Sequence, residues 1–164
     1  MQGYSQMYEI LPIKHDIRNK VADFISENWG APIIVTKGKI HSVEDVQGYA
    51  VIVDEEIKSL VTYIIEKDEC EIVSLDSLIE NQGIGTRLIE KVVATAKECH
   101  CKRVWLITTN DNMKAIRFYQ RRGFNLVGLY LNAIQEARKI KPQIPLHGFD
   151  GIPILHEIEF EKLL

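Results

Sequence analysis

A glycine-rich segment follows an apolar strand in the second half of the chain, and its residue types suit an anion site. Residues 71–75 are rich in branched side chains and predict a strand, while Gly83 and Gly85 precede an apolar repeat that predicts a helix to about Glu98. Glycine lets the backbone turn tightly and approach a ligand, and the first amides of a helix have no acceptor within it. Because these amides lie at the positive end of the helix dipole, the segment predicts a site that a pyrophosphate would fit.

Two familiar nucleotide-binding motifs do not match this segment. The third glycine of the dinucleotide fingerprint is missing after Gly85, and no Gly-Lys-Ser/Thr of a P-loop follows. Taken alone, the fragment is best interpreted as a glycine-assisted turn from a strand into a helix.

A second segment follows the next predicted strand, at the distance expected of a neighbouring helix. It reads Asn112-x-x-Ala115-x-x-Phe118-Tyr119-x-x-x-Gly123-Phe124. Together the two segments resemble the GNAT superfamily of N-acetyltransferases, whose glycine-rich signature is Gln/Arg-x-x-Gly-x-Gly/Ala. The resemblance is strong from about Tyr63 to Tyr130, with Glu80 in place of the Gln or Arg, and it extends more loosely over the whole chain.

This resemblance implies both a fold and an activity. The expected fold is a single α+β domain over residues 1–164, with a mixed, mostly antiparallel central sheet, helices on both faces and an acyl-CoA cleft between two splayed strands. The expected activity is acetyl transfer from acetyl-CoA to a primary amine of a small molecule or peptide by direct attack. The alternative is an acyl-CoA-binding sensor or partner module without efficient catalysis, and a third interpretation is a nucleotide- or phosphate-binding domain.

The resemblance also implies roles for individual residues. It places the pantetheine arm of acetyl-CoA against the backbone of Val73 and Leu75, and it makes Tyr119 a cofactor contact and the general acid that protonates the departing thiolate. The other cofactor contacts that it implies are Gln82, Gly83, Ile84, Gly85, Thr86 and Asn112. A different interpretation of Tyr119 is a core tyrosine that packs with Phe118 and Phe124.

Two carboxylates are candidates for the group that takes a proton from the attacking amine. Glu71 is the first candidate, and Glu69 competes if the strand begins early enough. A strand period of two residues predicts that both carboxylates share one face with Val73 and Leu75. Each is interpreted equally well as a solvated side chain in or near a charged turn.

Periodicity and turn residues predict the remaining elements. Helices are predicted at residues 17–29 and 112–122, where Gly30 and Gly123 supply the stops. The segment 132–153 contains three prolines and two glycines and predicts irregular structure. Three interpretations of this segment are open: it covers the pocket for the acceptor amine, it forms a homodimer contact, or it is a plain surface loop. Strands are predicted at residues 33–35, 47–53, 60–65, 71–75, 103–108, 124–131 and 156–160, and the first four indicate an antiparallel meander.

Length and composition restrict the class of protein. The 164 residues fit one domain, and a net charge of -3 spread over interspersed acids and bases argues against a nucleic-acid surface. Residues 1–9 lack the features of a signal peptide and no run of about eighteen apolar residues occurs, so we expect a cytoplasmic protein with no membrane partner. Cys70, Cys99 and Cys101 are expected to be free thiols. No metal site is expected, because the cluster at 99–101 lacks a second ligand pair.

Overall fold

The computed structural model describes residues 8–164, so most of the N-terminal segment used to predict the compartment lies outside the described residues. Within this range the chain forms nine strands and four α-helices. The strands are β1 (Leu11–Pro12), β2 (Ile33–Thr36), β3 (Lys39–Ser42), β4 (Gln47–Val53), β5 (Glu56–Glu66), β6 (Glu69–Ser77), β7 (Arg103–Thr109), β8 (Asn125–Tyr130) and β9 (Glu157–Leu163). The helices are α1 (Arg18–Trp29), α2 (Ile84–Glu98), α3 (Met113–Arg121) and α4 (Ala133–Ile140). None of these helices has both the length and the apolar character that spanning a bilayer requires.

Seven of the described strands form one sheet, in the order β1-β4-β5-β6-β7-β9-β8. Neighbouring strands pair antiparallel except β6 and β7, which run parallel. A parallel pair needs a crossover connection, and α2 supplies it here. The predicted mixed, mostly antiparallel sheet is confirmed.

The predicted meander is confirmed for β4, β5 and β6, but its expected first strand lies elsewhere. β2 pairs with β3 in a separate two-stranded hairpin. The periodicity did not indicate β3, because its sequence, Lys-Ile-His-Ser, is short and largely polar, and its buried side chain is a histidine.

Helices cover both faces of the sheet, as predicted. The buried side chains of α1, among them Val21 and Phe24, pack against Leu60 of β5, whereas Leu88 of α2 packs in the cluster that contains Val61. Because successive side chains of a strand point to opposite faces, Leu60 and Val61 serve two separate cores.

A β-bulge in β6 overturns one prediction about its faces. The register with β5 pairs Ile72 and then Ser74 with consecutive residues, so Val73 is an extra residue. The strict two-residue alternation is therefore wrong beyond this point: Val73 packs with the core on the α1 face, and Leu75 packs on the α2 face instead of sharing a face with Glu71.

The prediction that residues 132–153 are irregular is wrong for the first part of this segment. It begins with α4, which follows Asn132, a residue in the left-handed region at φ 58. The prolines all lie after the end of α4, so the composition of the whole segment concealed a helix in its first third. The guanidinium of Arg138 then donates hydrogen bonds to the carbonyls of Ile144, Pro145 and Ile154, and so holds the following loop against the helix.

Candidate active site

The parallel strands β6 and β7 separate halfway along their length. Their pairing begins at Glu69 with Arg103 and ends at Ile72 with Leu106, although β6 continues to Ser77 and β7 to Thr109. Beyond the last pair, Val73 and Leu75 line a gap of about 90 Å³ between the two strands. Among residues 8–164, no strand pairs with the backbone of β6 on this side. An extended arm that offers amide groups could pair with it there.

The start of α2 presents unpaired amides to a neighbouring cleft. Gly83 is the N-cap at φ 70, and the first bond into the helix is donated by the amide of Arg87 to the carbonyl of Gly83, at 3.1 Å. Within residues 8–164, no group accepts a hydrogen bond from the backbone amides of residues 83–86. The cleft has a volume of about 490 Å³ and is continuous with the gap through Leu75 and Tyr119. The arrangement can bind an anion such as a pyrophosphate.

A cation directly after α3 completes the wall of this cleft. The guanidinium of Arg122 donates to Oγ1 of Thr86 at 2.8 Å and lies 3.5 Å from the ring centroid of Phe118. Glu80, the acid in place of the Gln or Arg of the signature, is 70% exposed at its side chain and lies 3.8 Å from the ammonium of Lys114. Backbone amides and Arg122 supply positive character at the helix start, and the exposed pair of Glu80 and Lys114 lines the same cleft.

Gln82 and Asn112, two of the predicted cofactor contacts, have different surroundings. The side chain of Gln82 is exposed and does not line the cleft. Asn112 lines the cleft and the gap, and it also caps α3, because its Oδ1 accepts from the amide of Ala115 at 3.0 Å.

Tyr119 packs in the core and also lines the site. Its ring packs against Phe118, Phe124 and Phe160, with centroid distances of 5.1, 5.4 and 6.4 Å. The residue also lines both the cleft and the gap, and its hydroxyl bonds to no group within residues 8–164. Burial, with the carboxylate of Asp76 nearby, raises the pKa of this phenol, so the hydroxyl keeps its proton at neutral pH.

A second cavity, which we call the acceptor cavity, opens from the other side of the gap. Its volume is about 630 Å³ and it lies on the α1 face, between Trp29, Thr36 and the segment that follows α4. That segment contributes Lys141, Gln143, Ile144, Pro145, His147, Gly148, Phe149 and Ile154 to the lining. The segment after α4 therefore covers one side of this cavity.

Asp76 lines the cleft, the gap and the acceptor cavity, and sequence reasoning missed it. The indole Nε1 of Trp29 donates to its Oδ2 at 2.7 Å, and burial raises the pKa of the carboxyl. If side chains alternated strictly from Glu71 onward, Asp76 would lie on the face that α2 covers. The bulge at Val73 reverses this phase and brings Asp76 to the acceptor side.

Glu71 is buried behind the acceptor cavity. Its Oε1 accepts from the hydroxyl of Thr36 at 2.6 Å and lies 3.5 Å from Nε2 of His41, which is itself 2.7 Å from that hydroxyl. Thr36, and not Glu71, lines the cavity. A second buried acid, Glu157, does line it, and burial together with the charge of Glu71 raises the pKa of Glu157. His41 was given no role from the sequence, because nothing in its spacing connects it to Glu71.

Glu69 lies at the other end of β6 from the gap. Its carboxylate accepts from Nε of Arg103 at 2.9 Å, and Arg103 also pairs with Glu159 and Glu161. Glu69 lines none of the three cavities. Within residues 8–164 no group of three or more His, Cys, Asp or Glu side chains is placed to hold a metal ion.

The chain matches one family model and is similar to several known proteins. The acetyltransferase (GNAT) family matches residues 8–124. Two Bacillus subtilis (strain 168) proteins named as uncharacterized are similar: YxbD is 44% identical over 94% of this chain and 98% of its own, and YdhI is 42% identical over 96% and 99%. A GNAT family acetyltransferase from Elizabethkingia anophelis, solved with acetyl-CoA bound, has a TM-score of 0.69 at 20% identity and covers 95% of this chain and 97% of its own. At this low identity, the similarity to the Elizabethkingia anophelis structure shows that the two proteins share a fold.

The cover over the acceptor cavity is anchored at a close contact that only glycine permits. Asp111 is buried, and its carboxylate accepts from the hydroxyl of Thr109 and from the amide of Phe149. A Cβ added to Gly148 would lie 1.9 Å from Oδ2 of Asp111. We expect Gly148→Ala to displace the cover and to lower the free energy of unfolding by about 1–3 kcal/mol.

Hydrogen exchange of residues 143–154 measures this displacement, and urea unfolding measures the stability. Gly128→Ala is the matched control, because its added Cβ would approach no atom closer than 3.2 Å and lies outside the cover. Unchanged exchange in Gly148→Ala would show that the contact with Asp111 does not hold the cover in place.

Proposed function

The chain belongs to the GNAT acetyltransferase family, and from this premise we propose that it is an acyl-CoA-dependent N-acyltransferase that transfers acetyl from acetyl-CoA to a primary amine of a small molecule or peptide. One observation carries the proposal: the unpaired amides of residues 83–86 face a cleft that is continuous with the gap between β6 and β7. An anion site alone would suit many ligands. An anion site that leads into a gap with a free strand edge suits a pyrophosphate with a long amide-bearing arm.

The described residues fit acetyl-CoA in two places. The amides of residues 83–86 and the guanidinium of Arg122 would bind the pyrophosphate, and the backbone at Val73 and Leu75 would bind the pantetheine arm. The bound thioester supplies an activated acyl group. The acceptor cavity opens on the same gap from the opposite face of the sheet, so an amine can approach from there.

Two side chains at the gap can move the protons that the reaction requires. The amine nitrogen forms a bond to the thioester carbonyl carbon, the carbon–sulfur bond breaks, the amine loses a proton and the sulfur gains one. Asp76 faces the acceptor cavity, and its raised pKa makes it a stronger base than an ordinary aspartate. Tyr119 holds a proton on the cleft side of the gap. Glu71 could act only through Thr36 or a water molecule, because it does not line the cavity.

Calorimetric titration with CoA, followed by thiol release from acetyl-CoA, tests the function directly. The acceptor panel should include amino acids, peptides, polyamines and aminoglycosides. We expect CoA binding and acceptor-dependent thiol release. Binding without release would favour the sensor or partner module, and displacement of CoA by ATP would favour a general phosphate-binding domain.

Gly85→Asp is expected to weaken CoA binding by roughly 100-fold, because a carboxylate would stand where the pyrophosphate charge is held. An acid in the first turn of a helix favours the helix, so the fold should remain intact. Gly85→Asn is the matched control, since it adds a side chain of similar size without the charge. Titration with CoA at low and high salt separates the effects, and equal affinity of wild type and Gly85→Asp would remove the phosphate assignment.

Tyr119→Phe is expected to lower kcat by about 10²–10⁴-fold and to change CoA affinity by no more than about twofold. The substitution keeps the ring that packs with Phe118, Phe124 and Phe160 and removes only the hydroxyl. Tyr130→Phe is the control, because that hydroxyl bonds to Glu159 outside the three cavities. Steady-state kinetics provide the measurement, and an unchanged kcat would leave Tyr119 with a packing role alone.

Asp76→Asn is expected to lower kcat/KM by about 10²–10⁴-fold and to abolish the acidic limb of its pH profile. A base acts when deprotonated, and burial raises the pKa of Asp76, so wild-type activity should fall on acidification at a pH above the usual aspartate range. The asparagine can still accept the bond from Trp29. Glu69→Gln should keep the limb, since Glu69 lies far from the gap. Loss of the limb in Glu71→Gln but not in Asp76→Asn would make Glu71 the base.

A further inference from the structure

The acceptor cavity contains a buried ammonium with no counter-charge among residues 8–164. Lys141 is 4% exposed and lines this cavity. Its Nζ donates to the carbonyl of Ile33 at 2.8 Å, and no carboxylate within residues 8–164 forms an ion pair with it. Removing an ammonium from water without a partner anion is costly, and burial lowers the pKa of Lys141 accordingly. An anion that enters the cavity would supply the counter-charge that residues 8–164 do not.

The carboxylates that line the same cavity are engaged elsewhere. Asp111 accepts from Thr109 and from the amide of Phe149. Glu157 accepts from the amide of Lys37 at 3.1 Å. Asp76 accepts from Trp29 at the gap. Within residues 8–164 none of these carboxylates pairs with Lys141, so its ammonium is open to an anionic ligand.

Opposite charges stand at two different places along the cavity. Asp76 lines the acceptor cavity and the gap, where an attacking amine must lie, whereas Lys141 lines the acceptor cavity only. Trp29 lies between them, because its indole donates to Asp76 and its ring centroid is 5.9 Å from Nζ of Lys141. A ligand that satisfies both charges carries a cation toward the gap and an anion away from it.

We propose, building on the acyltransferase function above, that the acceptor carries a carboxylate as well as its amine, and that Lys141 binds this carboxylate while the amine lies at Asp76. The acceptor is then a zwitterion, such as a free amino acid or a short peptide with a free C-terminus. Asp76 favours the ammonium form on arrival, and Lys141 orients the molecule so that its amine faces the thioester. A polycationic acceptor would bring a further positive charge, and no carboxylate, toward Lys141.

Acetyl transfer to matched acceptors tests this proposal. Each free amino acid and each dipeptide is compared with its C-terminal amide, which keeps the amine and side chain and removes the carboxylate charge, and spermidine serves as the polycation. Wild type is expected to prefer the acid over its amide by about 10- to 100-fold in kcat/KM, because the amide leaves a buried charge unpaired. The preference among amino acids and dipeptides then identifies the source of the carboxylate.

Lys141→Met should abolish this preference by lowering kcat/KM for the acid alone, and Lys141→Arg should retain most of it. Lys139→Met is the matched control, because it removes an equal charge two residues away, from a side chain that is 71% exposed and paired with Glu136. A general structural defect of Lys141→Met would lower activity for acid and amide alike. The unfolding midpoint of each variant measures the cost of losing the bond to Ile33.

Ligand-observed NMR with the same acceptors, in the presence of CoA, separates this proposal from the proposed function. Binding of acids that depends on Lys141 supports the zwitterion even if no thiol is released. Equal or stronger binding and turnover of amides or spermidine in wild type would overturn it while leaving the acyltransferase intact. Failure to bind CoA at all would instead contradict the proposed function.

Discussion

The early end of pairing between β6 and β7 is the constraint on which the rest of the site depends. A strand edge inside a protein presents backbone groups that require hydrogen-bond partners, and burying them unpaired costs free energy. Here β6 continues beyond Ile72 without its neighbour, so its free edge faces a gap that leads to cavities on both faces of the sheet. The unpaired amides at the start of α2 open into one of these cavities, which places an anion site and a peptide-like edge side by side.

One extra residue in β6 determines which groups face which cavity. Because Val73 has no partner in β5, the alternation of side chains shifts by one beyond it. Leu75 therefore packs toward α2, and Asp76 reaches the acceptor side, where Trp29 holds its carboxylate. Without the bulge, the acid at the gap would face the opposite core.

The acceptor side is assembled from distant parts of the chain that are held by polar contacts. Asp111 anchors the cover through the amide of Phe149, and Lys141 joins the end of α4 to β2 through the carbonyl of Ile33. Thr36 lines the cavity, and His41 and Glu71 are buried behind it. Such contacts are favourable when every partner is satisfied, so an ammonium that pairs with no carboxylate of residues 8–164, such as that of Lys141, points to the chemistry of a ligand.

Local patterns in the sequence were sufficient to predict the three main helices, six of the seven strands of the central sheet and the glycine-rich start of α2, because periodicity and turn residues depend on neighbours along the chain. α1, α2 and α3 begin and end within about one residue of their predicted limits. The hairpin of β2 and β3, the helix α4, the phase of β6 beyond Val73 and the positions of Asp76, His41 and Lys141 were decided only in the tertiary structure. Lys141 and Ile33, for example, are 108 residues apart. Such contacts depend on how distant strands and loops pack, and no local spacing encodes them.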